Sequence, residues 1–163
     1  MHDESKHFEM LLLETMQAGL SRWTILQRRE HYRKAFAKFD PKKVAKFDEE
    51  MVLELMQNAG IIRNKLKITG TIKNAKAFID IQKEFGSFDN YIWQFTDNET
   101  IITKVKQSSD IRSTSPESDE MSKALKKRGF TFVGSTICYA YMQAAGMIND
   151  HLVSCSRYKE VMK

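Results

Sequence analysis

"SKALKKRGFTFVGSTICYAYMQAAG", Ser122 to Gly146, reads as a basic helix, a tight turn and a second, apolar helix. Gly129 and Gly134 bracket the turn. Glycine lets the backbone take positive φ and lets another backbone or a ligand come close. Gly134, Ser135 and Thr136 then open the second helix. Its first amide N–H groups point outward, unpaired, in a region of partial positive charge, which makes a seat for phosphate. Lys123, Lys126, Lys127 and Arg128 lie just upstream and add attraction. An ordinary helix hairpin with a solvated charge run accounts for the same residues, so this stretch alone leaves both readings open.

The rest of the chain is consistent with a helical molecule. Two prolines and seven glycines in 163 residues leave little punctuation, which favours long helices over many strands. No plausible strand pair is found, so the expected class is all-α. Phe8, Leu11, Leu12, Thr15 and Gly19 share one helical face. They predict a buried helix over about 5–18. "SRWTILQRREHYRKAFAKF" predicts a second helix with Trp23, Leu26, Tyr32 and Phe36 inward. Asp40-Pro41 and Asp48 are N-terminal caps, with Gly60 closing the helix after Asp48. "IRNKLKITGTIKNAKAFIDIQKEFG" predicts a long amphipathic helix along Ile68, Ile72, Ala75 and Ile79. Ser87 caps the next, residues 97–116 read as loop, and a helix is expected from about Ser118. The whole chain, 1–163, is expected to be one domain.

Composition narrows the function classes. Apolar residues are 42 % and charged residues 29 %, and the formal charge is +5. That permits a polyanionic partner without requiring one. Two cysteines, Cys138 and Cys155, make no disulfide framework, and the simple expectation is a reducing cytoplasm. No apolar run reaches the ~20 residues of a membrane span. "MHDESKHF" has no basic segment followed by an apolar one, so no secretory signal is expected. Met10, Met16, Met142, Met147, Cys138 and Trp93 read as core.

A second stretch is harder to explain as packing. "FEMLLLETMQAGLSRWTIL", Phe8 to Leu26, sets Glu14 in the middle of an apolar run. A buried carboxylate costs several kcal/mol unless it is compensated. A helix-surface acid, or one satisfied by a buried partner, explains Glu14 on spacing alone.

Taken together with "FDPKKVA", "AGIIRNKLKI" and "NDHLVSC", these stretches resemble the DNA-3-methyladenine glycosylase I family of the helix-hairpin-helix superfamily, over nearly the whole chain and in the family's order. The resemblance implies a helix-hairpin-helix bundle that flips an alkylated adenine out of double-stranded DNA and hydrolyses its N-glycosidic bond, as a monomer. It implies that Glu14 is the acid of the base pocket and the catalytic candidate. A desolvated carboxylate attracts a cationic base and can accept from its amine, whereas neutral adenine offers no such compensation. It also implies that the turn "QAGLS" fills the hole left in the duplex, through Gln17 and Leu20. The hairpin, with Lys126, Lys127, Arg128, Phe132, Val133, Gly134, Ser135 and Thr136, would hold the DNA.

Two departures stand out. Where the family has a tryptophan that walls the pocket, this chain has Arg22, followed by Trp23. A guanidinium beside a cationic base is repulsive, and a one-residue shift turns Trp23 by about 100° on a helix. Both residues are nonetheless the pocket candidates at this corner. The family also begins with a segment absent here, which carries a Cys and a His of a structural zinc site. His2 and His7 do not replace that His. His151 and Cys155, at i and i+4, correspond to the other half of the site. Two ligands are half of what zinc prefers, and the chemistry is expected to need no cofactor. Two functions therefore compete: a glycosylase for 3-methyladenine, and a helix-hairpin-helix DNA-binding protein that has lost its pocket.

Overall fold

The chain's helices begin where the sequence supplies caps. The computed structural model describes residues 2–17, 20–103, 106–107 and 112–149. Helix α1 spans Glu4–Gln17. Ser21 accepts from the Thr24 amide and starts α2, Arg22–Gln27. Asp40 accepts from Lys42 and, with Pro41 in the first turn, starts α4, Pro41–Val44. Asp48 does the same for α5, Glu49–Leu55, and Asn64 for α6, Lys65–Phe85. Ser87 caps α7, Phe88–Ile92. Ser115 and Ser118 exchange a capping box at the start of α8, Pro116–Lys127. Each such cap is worth about 1 kcal/mol. Helix α9 is Ser135–Ala144, and Gly134 caps it without a side-chain bond.

The second expected helix is broken. Its residues divide into α2 and α3, Arg29–Ala35, with Arg28 at φ −100°, ψ 4° between them. Ala37, Lys38 and Phe39 then take positive φ (53°, 57° and 61°) in a short 3-10 turn. Left-handed backbone costs roughly 1–2 kcal/mol per residue; here the turn returns Phe36 and Phe39 to the core, both buried. Tyr32 is buried as expected, but Trp23 and Leu26 are not: Trp23 is 68 % exposed and Leu26 48 %. The break at Arg28 is the reason, because a single helical phase no longer runs from Trp23 to Phe36. In α6 the buried line runs Ile68, Ile72, Ala75, Phe78 and Ile81, and Ile79 is only half-buried. Gly60 lies beyond the end of α5; a Cβ there would sit 2.5 Å from the His31 ring, so close packing explains it rather than a cap.

Among the described residues the all-α expectation holds with one small exception. Ile101–Ile102 and Ile148–Asn149 form a two-residue parallel pair, β1 and β2. Such a bridge, joining a loop to the end of α9, is too short for alternation to reveal. No described helix is long and apolar enough to cross a membrane.

The core is aromatic. Phe78 stacks on Phe88 at 4.2 Å between ring centres, and Phe8 meets Phe78 edge-on at 5.3 Å. Met16, Met142, Met147, Cys138 and Trp93 are buried as expected, while Met10 is half-buried. Burial pushes the Cys138 thiol up to about 12, which leaves it inert as a nucleophile. At one edge of the core, His7 Nε2 lies 2.7 Å from Asp89 Oδ1 and its Nδ1 faces the Tyr141 hydroxyl. His2 reaches the other Asp89 oxygen at 2.9 Å. Both N-terminal histidines thus bind a carboxylate of α7.

Candidate functional site: an acid-floored cavity between α1, α2 and α9

Helix α1 has two buried faces. Phe8, Leu11, Leu12 and Thr15 enter the core, as the spacing predicts. Gly19, the last residue of that predicted face, lies outside the described residues. On the other face Lys6, Glu9, Met10, Leu13, Glu14 and Gln17 line a cavity of about 260 Å³. Ile25 and Leu26 of α2, Arg29 of α3 and Ala144 of α9 complete it. Pockets for drug-sized ligands start near ~300 Å³, so this one suits a fragment the size of a single base.

Glu14 is 6 % exposed inside this wall. It shares the cavity wall with the apolar side chains of Met10, Leu13, Ile25 and Leu26 and with the charged ones of Lys6, Glu9 and Arg29; a buried carboxylate in such a wall favours the entry of a cation. A second acid, Glu9, also lines the cavity, and the sequence reading missed it. Arg29 binds Glu9 at 2.5 Å and Arg33 approaches the same oxygen at 3.5 Å. The charge of Glu9 is therefore answered by two guanidinium groups of α3. The signal that could have found it is the repeat Lys6, Met10, Leu13, Glu14, Gln17 along one helical stripe, on which Glu9 also falls.

The expected duplex-filling residues, Gln17 and Leu20, and the other expected pocket residues, Arg22 and Trp23, separate. Gln17 lines the cavity, and Leu20, 39 % exposed, follows on the turn just beyond. The Leu20 amide bonds back to the Gln17 carbonyl at 2.7 Å. Trp23 is placed outside the cavity wall, on the solvent side of α2, where Ile25 and Leu26 take the lining positions. Arg22 begins α2; its side chain is outside the described residues.

The hairpin α8–turn–α9 forms as expected, and its residues differ in availability. Lys126, Lys127 and Thr136 are exposed. Gly129, at φ 97°, needs to be glycine for its backbone. Gly134 does not: its φ is −60° and a Cβ would meet nothing within 4 Å, so open space lies before the N-terminus of α9. Phe132, half-buried, takes φ 58° in the turn. Ser135 is tied to Ser118 Oγ at 2.8 Å and donates to Asp119 at 2.5 Å. Two of the expected DNA contacts have partners within the chain. Val133 is fully buried, and its carbonyl accepts from Ser122 at 2.7 Å. Arg128 is paired at the surface with Glu84 at 2.6 and 3.3 Å. Neither could be read from a charge run, because Val133 depends on where α8 lies and Arg128 on where α6 lies. That helix holds the turn from behind: Asn74 donates to the Thr131 carbonyl at 3.0 Å and accepts from the Thr131 amide at 2.8 Å. Gly70 makes room for it, since a Cβ there would fall 2.7 Å from Thr131.

The profile of the methyladenine glycosylase family matches residues 1–158 of the chain. The chain belongs to the methyladenine glycosylase family. It is 48 % identical over 156 residues to DNA-3-methyladenine glycosylase 1 of Escherichia coli K12, a match covering 96 % of this chain and 83 % of that protein. Its fold is similar to a crystal structure of 3-methyladenine DNA glycosylase I, with a TM-score of 0.93 and 47 % identity over 96 % of this chain and 86 % of that one. A variant of 3-methyladenine DNA glycosylase I crystallised in complex with 3-methyladenine also matches, at a TM-score of 0.93 and 30 % identity, over 96 % of this chain and 84 % of that one.

His151 and Cys155 lie outside the described residues. Among the described residues no three His, Cys, Asp or Glu side chains group to hold a metal ion. The chemistry below is assigned to side chains of the described residues.

Proposed function

We propose that this methyladenine glycosylase removes 3-methyladenine from alkylated double-stranded DNA by hydrolysing its N-glycosidic bond. The observation that carries the reading is the burial of Glu14 in a cavity the size of one base, on a chain that belongs to this family. A 3-methylated adenine is cationic and already a good leaving group, so catalysis requires unstacking, positioning and a water more than acid–base assistance. In this reading Glu14 attracts the flipped cation and accepts from its exocyclic amine. Adenine, neutral, gives nothing back for the desolvated carboxylate. Glu9 is held by Arg29 and Arg33 and shapes the wall. Gln17 and Leu20 enter the space that the base vacates. The exposed Lys126 and Lys127 and the open N-terminus of α9, with Gly134, Ser135 and Thr136, hold backbone phosphates. The proposed setting is the cytoplasm, with the chain acting as a single-domain monomer and without a cofactor in the reaction.

The test is release of free 3-methyladenine from methylated duplex DNA by the purified protein, run beside Glu14→Gln. Release by the wild type that falls at least about 100-fold in Glu14→Gln supports the assignment, a decrease of the size expected when a charged group is removed from a reacting centre. DNA binding without release supports the alternative, a DNA-binding protein whose pocket no longer works.

A further inference from the structure

Lys67 occupies a position that its own helix disfavours. It lies in the first turn of α6, where the dipole is positive and a cation is unwelcome. It is also 7 % exposed, and taking an ammonium out of water carries a cost of several kcal/mol. Burial holds the Lys67 amine below the usual lysine range. A bond to another helix helps to answer these penalties: Nζ donates to the Met16 carbonyl at 2.9 Å. Met16 is in the last turn of α1, where carbonyls have no partner within the helix and the dipole is negative. The carbonyl lies between two cavity residues, Glu14 and Gln17, and immediately before the turn that carries Leu20.

We infer that Lys67 is a positioning residue, whose ammonium fixes the end of α1 so that Gln17 and Leu20 leave it in the register that fills the duplex after a base is flipped. The inference rests on the proposed function for the flipping itself. Its fluorescence readout does not depend on base release. Lys67 touches neither the base nor the glycosidic bond, and it acts through the main chain of Met16. A plain stabilising role would lower every activity together with the melting temperature. A role in the wedge turn is specific to duplex DNA, because a single strand has no hole to fill.

The experiment uses a duplex carrying a stable abasic-site analogue with 2-aminopurine beside it, whose fluorescence rises when the neighbouring stack is opened. Wild type, Lys67→Met and Lys67→Gln are compared at saturating protein, with melting temperatures recorded. Loss of most of the fluorescence gain in Lys67→Met, with Lys67→Gln between it and wild type, supports the inference. So does a release rate about tenfold lower on methylated duplex and unchanged on methylated single strand, the scale expected for a misplaced wedge. If Lys67→Met does not fold, the same comparison is made with Lys67→Gln alone. A wild-type fluorescence gain in either folded variant overturns it, as do equal losses on duplex and single strand. Absence of release by the wild type counts against the proposed function and leaves the fluorescence comparison to decide the role of Lys67.

Discussion

Arg128 is bound to Glu84 by two hydrogen bonds, and its guanidinium carbon stands 5.0 Å from the ring centres of both Phe85 and Tyr91. Its neighbours in sequence, Lys126 and Lys127, are exposed. Three adjacent cations therefore divide into one that is matched internally and two that face solvent. The Glu84 carboxyl is held below its ordinary range by the bond from Arg128.

A cation already matched by a carboxylate displaces fewer counterions from DNA than a solvated one. The double variant Lys126→Ala/Lys127→Ala should lower the slope of log binding constant against log salt by about 1.8, or ~0.9 for each phosphate left without its lysine. Arg128→Ala should change that slope much less and should lower the melting temperature instead. A slope change from Arg128→Ala as large as that of one lysine would show that the ion pair with Glu84 opens on DNA.

The His7–Asp89 pair sets an acid limit on stability. Burial is the main influence on His7 and holds its pKa below 6.5, against the opposing pull of Asp89, through its hydrogen bond and its charge, and of Glu4. A histidine depressed in the fold is stabilising when neutral. That contribution is whole above 6.5 and is lost as pH falls from there through the folded-state value. Asp89 is raised by burial but brought below 3.8 overall by bonds from His7 and His2, so its contribution is lost only at lower pH. Melting temperature should therefore decline as pH drops below about 6.5, and His7→Gln should flatten that decline. An unchanged slope in His7→Gln would assign the acid sensitivity elsewhere.

Gly70→Ala should loosen the hairpin from behind. The added Cβ would lie 2.7 Å from Thr131 Cγ2 and 3.0 Å from the Phe132 ring. Overpacking of this kind costs about 1–3 kcal/mol. Chemical denaturation should show the decrease, and affinity for undamaged duplex should fall with it, because Thr131 and Phe132 form the turn before α9. Wild-type stability in Gly70→Ala would mean that the turn shifts without cost.

Arg22 stands where the family resemblance puts a stacking tryptophan. Arg22→Trp should tighten binding of free 3-methyladenine by about 3–10-fold, the worth of one added aromatic stack. Tryptophan fluorescence titration reads it. Equal affinity would remove this position from the base pocket.

Much of this molecule was legible in the order of its residues. The caps Asp40, Asp48 and Ser87 act as their types and positions imply, because capping is an interaction within three residues. The core face of α1 and the hairpin turn were legible for the same reason. Trp23 was misread because one unrecognised break, at Arg28, changes the phase of everything before it. Glu9, Val133 and Arg128 owe their surroundings to α3, α8 and α6, and no pattern within one helix encodes such meetings between elements. The charge penalty of Glu14 was visible in its apolar neighbours; the cavity it lines needed three further helices to close.

Helix α6 holds both turns that are proposed to touch DNA: Lys67 grips the end of α1, and Asn74 grips the hairpin. These two grips are seven residues apart, about 10 Å along a helix that rises 1.5 Å per residue. The helix is thus a rigid gauge, and its pitch, rather than any loop length, sets how far apart the enzyme can press on a nucleic acid strand. Insertion of a single residue between the two would rotate one grip by about 100° against the other, and evolution can adjust either turn freely only so long as this interval is left alone.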